Sequence, residues 1–359
     1  MAQPIASGEW FECLVPPTSA SADLERDVRR KVGAVPGWLA RFAYVPWIAR
    51  ACASFIERPM AYASPALCDL VGLVVSQENS CRYCYGVQRA VLRIYGYRDE
   101  YIDRLLRDAQ AAELSPGERA ALGFARRLSR ANPRPGRAEF DAVVAAGLAR
   151  PAAVEVAAVV ATANFTNRLG TLLALPPEPL ESVVEQPLFR LMRPLMAWRM
   201  RSRPKPPAPP PDPSTGPCAP IVAALGDSPM AGVLRRIIDE AWASPILPRR
   251  TKALVLAVIA RALDCVHAET EARTFLAEDG FAAADVDGVL ATLSSPRLDA
   301  REARLVPFAR ETVRYQAATI QPRVREALRD FSPAETVEAI GIVALANAVC
   351  RLSVVLDAC

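Results

Sequence analysis

The feature that most constrains the fold of this chain is an internal repeat. Cys265 lies 184 residues after Cys81, and Gly280 lies the same distance after Gly96. The spacing later shortens by one residue and the matches continue. Such matches indicate a tandem duplication, so we expect two similar units. The further pairs are Leu92/Leu276, Leu114/Leu298, Glu118/Glu302, Phe124/Phe308, Arg126/Arg310, Val154/Val337, Glu155/Glu338, Asn164/Asn347, Arg168/Arg351 and Leu169/Leu352.

A proline-rich segment separates the two units. The run from Arg203 to Pro213 is mostly proline, which lacks a backbone N–H and fixes φ, so neither helix nor sheet suits it. We predict an extended linker over residues 201–219, between an N-terminal domain over 1–200 and a C-terminal repeat over 220–359. A proline-rich ligand for a small adaptor domain is the alternative interpretation.

The composition favours an all-α protein. Hydrophobic residues make up 52% of the chain and aromatic residues only 7%, with alanine and leucine dominant. Gly96 and Gly280 stand where helices are expected to stop, and we predict about six helices in each half. Helix starts are indicated at Ser64-Pro65, Ser115-Pro116-Gly117-Glu118, Asp299-Ala300-Arg301-Glu302 and Ser332-Pro333-Ala334-Glu335.

Charge and cysteine usage indicate a soluble protein of a reducing compartment. The net charge of +4 is too small to favour a nucleic-acid partner. The 9 cysteines show no framework spacing, and the N-terminus carries no secretion signal. The longest apolar stretches, Val154 to Leu175 and Val337 to Leu356, contain Glu, Asn and Arg, which favours core helices over membrane spans. We therefore predict a cytoplasmic protein that does not enter a membrane.

The pair Cys81 and Cys84 is the strongest chemical signal. Both cysteines are expected on one face of the first turn of a helix, where the helix dipole favours a thiolate. Arg82 and Arg89 add positive charge nearby. Such a pair indicates redox chemistry first and half of a metal site second.

The pair and its flanks resemble the alkyl hydroperoxidase D-like family, which includes the carboxymuconolactone decarboxylases. The resemblance covers most of residues 30–175 and, more faintly, 220–357. It implies an all-α fold of two tandem helical-bundle repeats related by a pseudo-twofold axis. It also implies oligomerisation, which is usual for members of the family. The residues that carry it are Ser76, Asn79, Cys81, Tyr83, Cys84 and Gly96, followed by Glu155, Asn164, Asn167 and Arg168.

The resemblance also implies a proton relay, from which this chain departs. Asp69 stands where the best-known branch of the family has a glutamate, and Gln88 stands where it has a histidine. Tyr83 replaces a second histidine. Glu78, one helical turn before Cys81, is the nearest candidate for a replacement base if the helix runs through that junction.

The implied reaction is a thiol-dependent peroxidase or disulfide oxidoreductase cycle that needs no cofactor and no metal. Cys84, expected to lie deeper, attacks a hydroperoxide and becomes a sulfenic acid, and the more exposed Cys81 resolves it to a disulfide. An external dithiol donor then regenerates both thiols. Glu78 or Asp69 holds a water that moves protons, Gln88 completes the candidate site, and Arg82 supports the thiolate. The alternative interpretations are a charge on a solvated helix face for Asp69 and a core or interface amide for Gln88.

The second half lacks the pair. Cys265 keeps the first cysteine, but Ala268 replaces the second, Ala253 the acidic residue and Ala272 the relay residue. We interpret this half as a degenerate repeat that cannot form its own disulfide and supplies the packing that a family dimer would otherwise provide. His267 is interpreted as a remnant or as a surface histidine, and assembly into a homo-oligomer stays open.

Three other interpretations compete with the redox site. Cys81, Cys84, Cys265 and His267 have the right chemistry for a zinc site, if the two clusters meet. A decarboxylase or lactone enzyme of the same superfamily is the second. The third is a non-catalytic helical scaffold in which the two cysteines act as small buried hydrophobes.

Overall fold

The computed structural model describes residues 11–57, 59–108, 113–132, 134–178, 180–201 and 215–356. These residues form helices, turns and loops without a strand, which confirms the all-α prediction. Residues 202–214, most of the predicted linker, lie outside the described residues. The helices are α1 (Ala22–Val32), α2 (Leu39–Phe42), α3 (Pro46–Ile56), α4 (Pro65–Glu78), α5 (Arg82–Tyr95), α6 (Asp99–Arg107), α7 (Pro116–Arg130), α8 (Arg137–Ala145), α9 (Arg150–Leu172), α10 (Leu180–Glu185), α11 (Pro187–Arg201), α12 (Ala219–Ala223), α13 (Met230–Ala243), α14 (Arg249–Leu263), α15 (Val266–Glu278), α16 (Ala283–Thr292), α17 (Glu302–Glu311), α18 (Ala317–Ala327) and α19 (Pro333–Leu356).

Local sequence signals set many of these boundaries. The Ser64 side chain caps α4, and Ser115 and Glu118 form the capping box of α7, as the sequence predicts. Helix α5 ends at Gly96, whose φ of 98° is left-handed, and the N–H of Tyr97 then bonds the carbonyl of Leu92. The prediction of about six helices per half was too low, because prolines start short extra helices such as α3 and α11.

Two sets of four helices have matching contacts. Helix α4 packs against α5, α7 and α9, and α14 packs in the same way against α15, α17 and α19. Helices α9 and α19 lie against each other at the centre and join the two sets. The contacts are those expected of two facing repeats, and the duplication itself stays a prediction.

Arg168 of α9 is fully buried between the two halves. Its Nε and Nη2 donate to the carbonyl oxygen of Thr312 at 3.1 and 3.0 Å. Its Nη1 donates to Oδ1 of Asn164, one turn earlier, at 2.9 Å. Burial lowers the pKa of Arg168. The guanidinium is therefore held by oxygen atoms of both halves rather than by solvent.

Arg351 of α19 makes the reciprocal contacts. Its Nη1 donates to Oδ1 of Asn347 at 2.6 Å, and its Nη2 reaches back to the carbonyl oxygen of Ser129 at 3.4 Å. The amide of Asn347 bonds the Thr312 hydroxyl 35 residues earlier, and that of Asn164 bonds the Ser129 hydroxyl at the same separation. Each half thus anchors an arginine that also donates to carbonyl oxygens of the other half.

Helix α19 is a core helix in this structure. It is the one helix among the described residues that is long and apolar enough to cross a membrane, but 89% of its apolar window is buried. Its contacts with α9 and α14 account for that burial. The composition of α19 is thus explained by packing inside the protein.

Candidate active site

A sharp turn between α4 and α5 fixes the position of Cys81. Helix α4 stops at Glu78, and Ser80 has a left-handed φ of 51°. The N–H of Cys81 bonds the carbonyl oxygen of Ser76 at 3.0 Å, which closes the turn. Cys81 is then the N-cap of α5, and the helix begins at Arg82, one residue after the predicted start at Cys81. The junction is not continuous helix, so that premise for Glu78 was wrong.

Asparagines of α9 hold this turn in place. Asn79 donates through Nδ2 to Oδ1 of Asn164 at 3.1 Å, and the Ser76 hydroxyl donates to Oδ1 of Asn167 at 3.3 Å. All four side chains are at most 5% exposed. The family-like residues around the pair therefore position the cysteines instead of reacting themselves.

Cys81 is the thiol whose ionised form the structure favours. Burial raises the pKa of Cys81, but hydrogen bonds from the side chain and backbone N–H of Cys84, together with the nearby Thr171 hydroxyl, outweigh it, and the net shift is downward. The N–H of Cys84 lies 3.3 Å from the Sγ of Cys81. The helix N-terminus adds its partial positive charge. Cys81 is thus the better nucleophile of the pair.

Cys84 has the opposite character. Burial, its hydrogen bond to Cys81 and the charge on Cys81 raise the pKa of Cys84 well above its ordinary value. The exposed fraction of Cys84 is 9%, against 1% for Cys81, so the expectation that Cys84 lies deeper was wrong. The reason is that Cys81 sits in the interhelical turn under α9, which sequence spacing does not reveal. Cys84 is therefore the protonated partner.

Gly170 of α9 lies directly against both sulfurs. A Cβ at this position would lie 3.0 Å from the Sγ of Cys81 and 3.4 Å from the Sγ of Cys84. The absence of a side chain lets α9 approach the pair and shield it from water. A glycine is therefore required here by packing.

We expect Gly170→Ala to destabilise the protein by about 1–3 kcal/mol, because the added methyl must displace a sulfur. The same change should slow the reaction of Cys81 with a small alkylating agent. Gly123→Ala in α7 is the matched control, since a Cβ there meets no atom within 4 Å. It should stabilise the protein by about 0.5–1 kcal/mol. Urea denaturation measures both changes, and equal effects would contradict the packing role of Gly170.

The pH dependence of Cys81 reactivity should reveal its hydrogen bonds. Because the pKa of Cys81 is lowered, its alkylation should stay fast as the pH falls below the ordinary cysteine value. Cys84→Ala removes the side-chain donor and should move the midpoint to higher pH, whereas Cys84→Ser keeps a donor and should move it less. Alkylation rates followed by mass spectrometry check this order. Identical midpoints in the two variants would contradict it.

Tyr83 and Glu178 form a polar pair beside the cysteines. The Tyr83 hydroxyl donates to Oε1 of Glu178 at 2.8 Å. Burial raises the pKa of Tyr83 well above its ordinary value, as do Glu178 and a negative charge on Cys84. Glu178 follows α9 in the sequence and was missed, because no spacing from the cysteine pair points to it. This pair lies near enough to Cys84 for a charge on that cysteine to affect Tyr83.

The other predicted site residues have different surroundings. Glu78 is bound by Arg130 and lies 3.7 Å from Arg126, so its carboxylate contacts α7. Asp69 is 4% exposed, so the solvated-face interpretation was wrong. Gln88 lies against α4, where its Nε2 would be 2.9 Å from a Cβ at Gly72. A catalytic role for these three residues stays a prediction.

The two arginines near the pair do not assist Cys81 in the way expected. The Arg82 side chain is exposed, and the groups that lower the pKa of Cys81 belong to Cys84 and Thr171. Arg89 donates to Asp99 at 2.7 Å and to Asp103 at 2.6 Å. Neutral hydrogen-bond donors and the helix dipole therefore replace the arginines.

The second half contains a thiol that sequence reasoning missed. Cys265 is the N-cap of α15. Its hydrogen bond with Cys350 on α19 is the main reason why the pKa of Cys350 lies well above its ordinary value, and burial is the second reason. The description of this half as a one-thiol site was therefore wrong. Ala253, Ala268 and Ala272 are fully buried, so these positions of the second half are apolar and shielded from solvent. The part of the chain that the structure describes holds no group of three or more His, Cys, Asp or Glu suited to a metal ion, so the proposed zinc tetrad is not assembled there.

Part of the chain is similar in sequence to a known protein family. Residues 63–127 match the sequence model of the carboxymuconolactone decarboxylase family. No curated protein matches the chain. Similar solved structures include the alkylhydroperoxidase AhpD core of an uncharacterised peroxidase-related protein from Ralstonia eutropha, at 24% identity over 54% of this chain and 98% of that chain, with a TM-score of 0.40.

An uncharacterised peroxidase-related protein from Silicibacter sp. is 23% identical over 43% of this chain and 83% of that chain, with a TM-score of 0.38. The segment 63–127 covers α4, α5, α6 and most of α7, and so contains both cysteines and the turn that positions them. The resemblance inferred from the sequence is confirmed for this segment, which is similar to the carboxymuconolactone decarboxylase family.

Proposed function

We propose that the protein is a thiol-dependent hydroperoxidase or disulfide oxidoreductase with Cys81 and Cys84 as its redox couple. The observation that carries this proposal is the pairing of a thiol of lowered pKa with a protonated thiol that donates to it. A buried pair that served only as packing would have no need of such a polarised arrangement. The family match over residues 63–127 supports a peroxidase-like or carboxymuconolactone decarboxylase-like role.

The proposed order of events assigns the attack to Cys81. Its thiolate attacks the terminal oxygen of a hydroperoxide, the O–O bond breaks, and the products are the Cys81 sulfenic acid and an alkoxide that takes up a proton. The Cys84 thiol then attacks the sulfenic sulfur, and a disulfide and water are formed. The two sulfurs both contact the position of Gly170, so the second step needs little movement.

Reduction by an external dithiol follows the same asymmetry. The donor attacks Cys84, the more exposed sulfur, and the Cys81 thiolate leaves. A leaving thiol of low pKa departs faster, so this direction is chemically favoured. Because both sulfurs are buried, substrate and donor must displace part of the cover formed by α9. A dithiol donor implies a reducing compartment such as the cytoplasm.

Proton movement around Cys84 is assigned to Tyr83 and Glu178. Their hydrogen bond joins a carboxylate to the hydroxyl of the residue next to Cys84 in the sequence. This arrangement takes the place of the relay that the family resemblance assigned to Asp69 and Gln88. Glu78, already bound to Arg126 and Arg130, then stabilises the contact of α4 with α7.

Trapping of the sulfenic acid tests the proposal. In Cys84→Ser, treatment with about one equivalent of cumene hydroperoxide should leave a Cys81 sulfenic acid that dimedone labels. Cys81→Ser should give no label at Cys84. Cys265→Ser is the matched control, since Cys265 occupies the same cap position in the second half. Absence of label in Cys84→Ser, with folding intact, would reject the redox role.

A carboxymuconolactone decarboxylase-like enzyme is the second candidate, favoured by the family match. Such an enzyme has no need of a thiol couple, so its activity should survive Cys81→Ser. A non-catalytic scaffold of the same fold would show neither labelling nor turnover. The labelling experiment therefore separates the redox proposal from both alternatives.

A further inference from the structure

The hydroxyls of Thr171 and Tyr315 are buried near the cysteine pair, and neither lies within ordinary hydrogen-bond distance and angle of a described residue. Buried hydroxyls are normally hydrogen-bonded, so each of these two hydroxyls calls for an explanation. Thr171 follows Gly170 on α9 and is 4% exposed. Tyr315 comes from the C-terminal half, between α17 and α18. Both hydroxyls interact with Cys81. Thr171 lowers the pKa of Cys81, and a charge on Cys81 raises the pKa of Tyr315.

The position of Tyr315 is firmly determined by contacts between the halves. The guanidinium carbon of Arg168 lies 5.4 Å from the centre of the Tyr315 ring. Arg314 donates to the carbonyl oxygen of Ala131 at 2.6 Å. Gln321, at the next turn of chain, donates to the carbonyl oxygen of Thr171 at 2.9 Å. The hydroxyl is therefore presented to the site on an anchored segment.

We propose that Tyr315 and Thr171 form the binding niche for the peroxide oxygens, and that Tyr315 is the catalytic proton donor to the leaving alkoxide. This inference rests on the proposed peroxidase function. It gives the C-terminal half a chemical role in the site of the N-terminal half. The ligand class is a small organic hydroperoxide, whose two oxygens can accept hydrogen bonds from these two hydroxyls.

Tyr315 supplies the proton that the departing alkoxide takes up. The Cys81 thiolate bonds to the terminal oxygen, the O–O bond breaks, and Tyr315 gives its proton to the departing alkoxide, which leaves as the alcohol. The Tyr315 phenolate then recovers a proton from water. Burial raises the pKa of Tyr315 to about 12, so it is protonated at neutral pH and able to donate. A tyrosine can therefore serve here although the chain lacks the relay histidine.

The test is Tyr315→Phe, which keeps the ring under Arg168 and removes only the hydroxyl. We expect the oxidation of Cys81 by cumene hydroperoxide to slow by about 100-fold or more. Reaction with a disulfide reagent such as dithionitrobenzoate, whose leaving thiolate needs no proton, should be unchanged. A peracid, with its better leaving group, should show a smaller deficit than the alkyl hydroperoxide.

The matched control is Tyr101→Phe, because the pKa of Tyr101 responds to burial, Tyr97 and acidic side chains and not to the cysteines. It should react like the wild type with every reagent. Equal slowing of Tyr315→Phe with all three reagents would assign Tyr315 a structural role and overturn the inference. Wild-type rates in Tyr315→Phe would overturn it as well. If the wild type itself fails to react with hydroperoxide, the proposed function falls first.

Discussion

Replacing Cys81 by serine is expected to lower hydroperoxide-dependent oxidation of a dithiol donor by a thousandfold or more, on the order seen when an enzyme loses its nucleophile. A serine hydroxyl is not ionised at neutral pH and cannot form a disulfide. Cys84→Ser should also lose turnover, but it should still consume a single equivalent of hydroperoxide and stop at the sulfenic acid. Turnover assays and single-turnover peroxide consumption measure the two steps separately.

The two variants therefore test the assignment of roles as well as the activity. Cys265→Ser, the matched change in the second half, should keep wild-type turnover. If Cys81→Ser still consumes one equivalent while Cys84→Ser consumes none, attack belongs to Cys84, as the family resemblance implies. That result would contradict the order inferred from burial and hydrogen bonding.

Replacing Arg168 by methionine is expected to destabilise the protein by about 3 kcal/mol, because buried acceptors left without a donor cost about 1–3 kcal/mol each. The carbonyl oxygen of Thr312 loses both donors from Arg168, and Oδ1 of Asn164 keeps only the amide of Asn79. Arg351→Met removes the reciprocal contacts and should cost a similar amount. The midpoints of denaturant unfolding give these free energies, provided that the slope of free energy against denaturant concentration is unchanged.

The control for this prediction is Arg26→Met on α1, whose side chain is 75% exposed. It should change the free energy of unfolding by no more than about 0.5 kcal/mol. Because Arg168 and Arg351 share the carbonyl of Val313, the double variant should be non-additive. Losses below about 1 kcal/mol for both single variants would contradict the view that the arginines join the two halves.

Local chemistry made much of the fold predictable. The caps at Ser64 and Ser115 and the stop at Gly96 depend on neighbouring residues only, and each was confirmed. The start of α5 at the cysteine pair was also correct to one residue. These features follow from backbone hydrogen bonding within one or two turns, which the sequence displays directly.

The site was less predictable because long-range packing determines it. The order of burial of Cys81 and Cys84 depends on the approach of Gly170, 86 residues after Cys84. Tyr315 reaches its site through the contact between the halves, and Cys350 reaches Cys265 through the packing of α19 against α15. No motif around the first pair points to either residue. An internal repeat predicts that such contacts exist, but not which side chains they bring together.

The central claim is that Cys81 and Cys84 form a redox couple, and oxidation of the reduced wild-type protein tests it most directly. Differential alkylation with mass spectrometry, before and after about one equivalent of cumene hydroperoxide, shows which thiols become protected. Rapid formation of a Cys81–Cys84 disulfide, reversed by a dithiol, is the predicted result. If both thiols alkylate unchanged after the treatment, or react only in denatured protein, the pair is structural and the claim is contradicted.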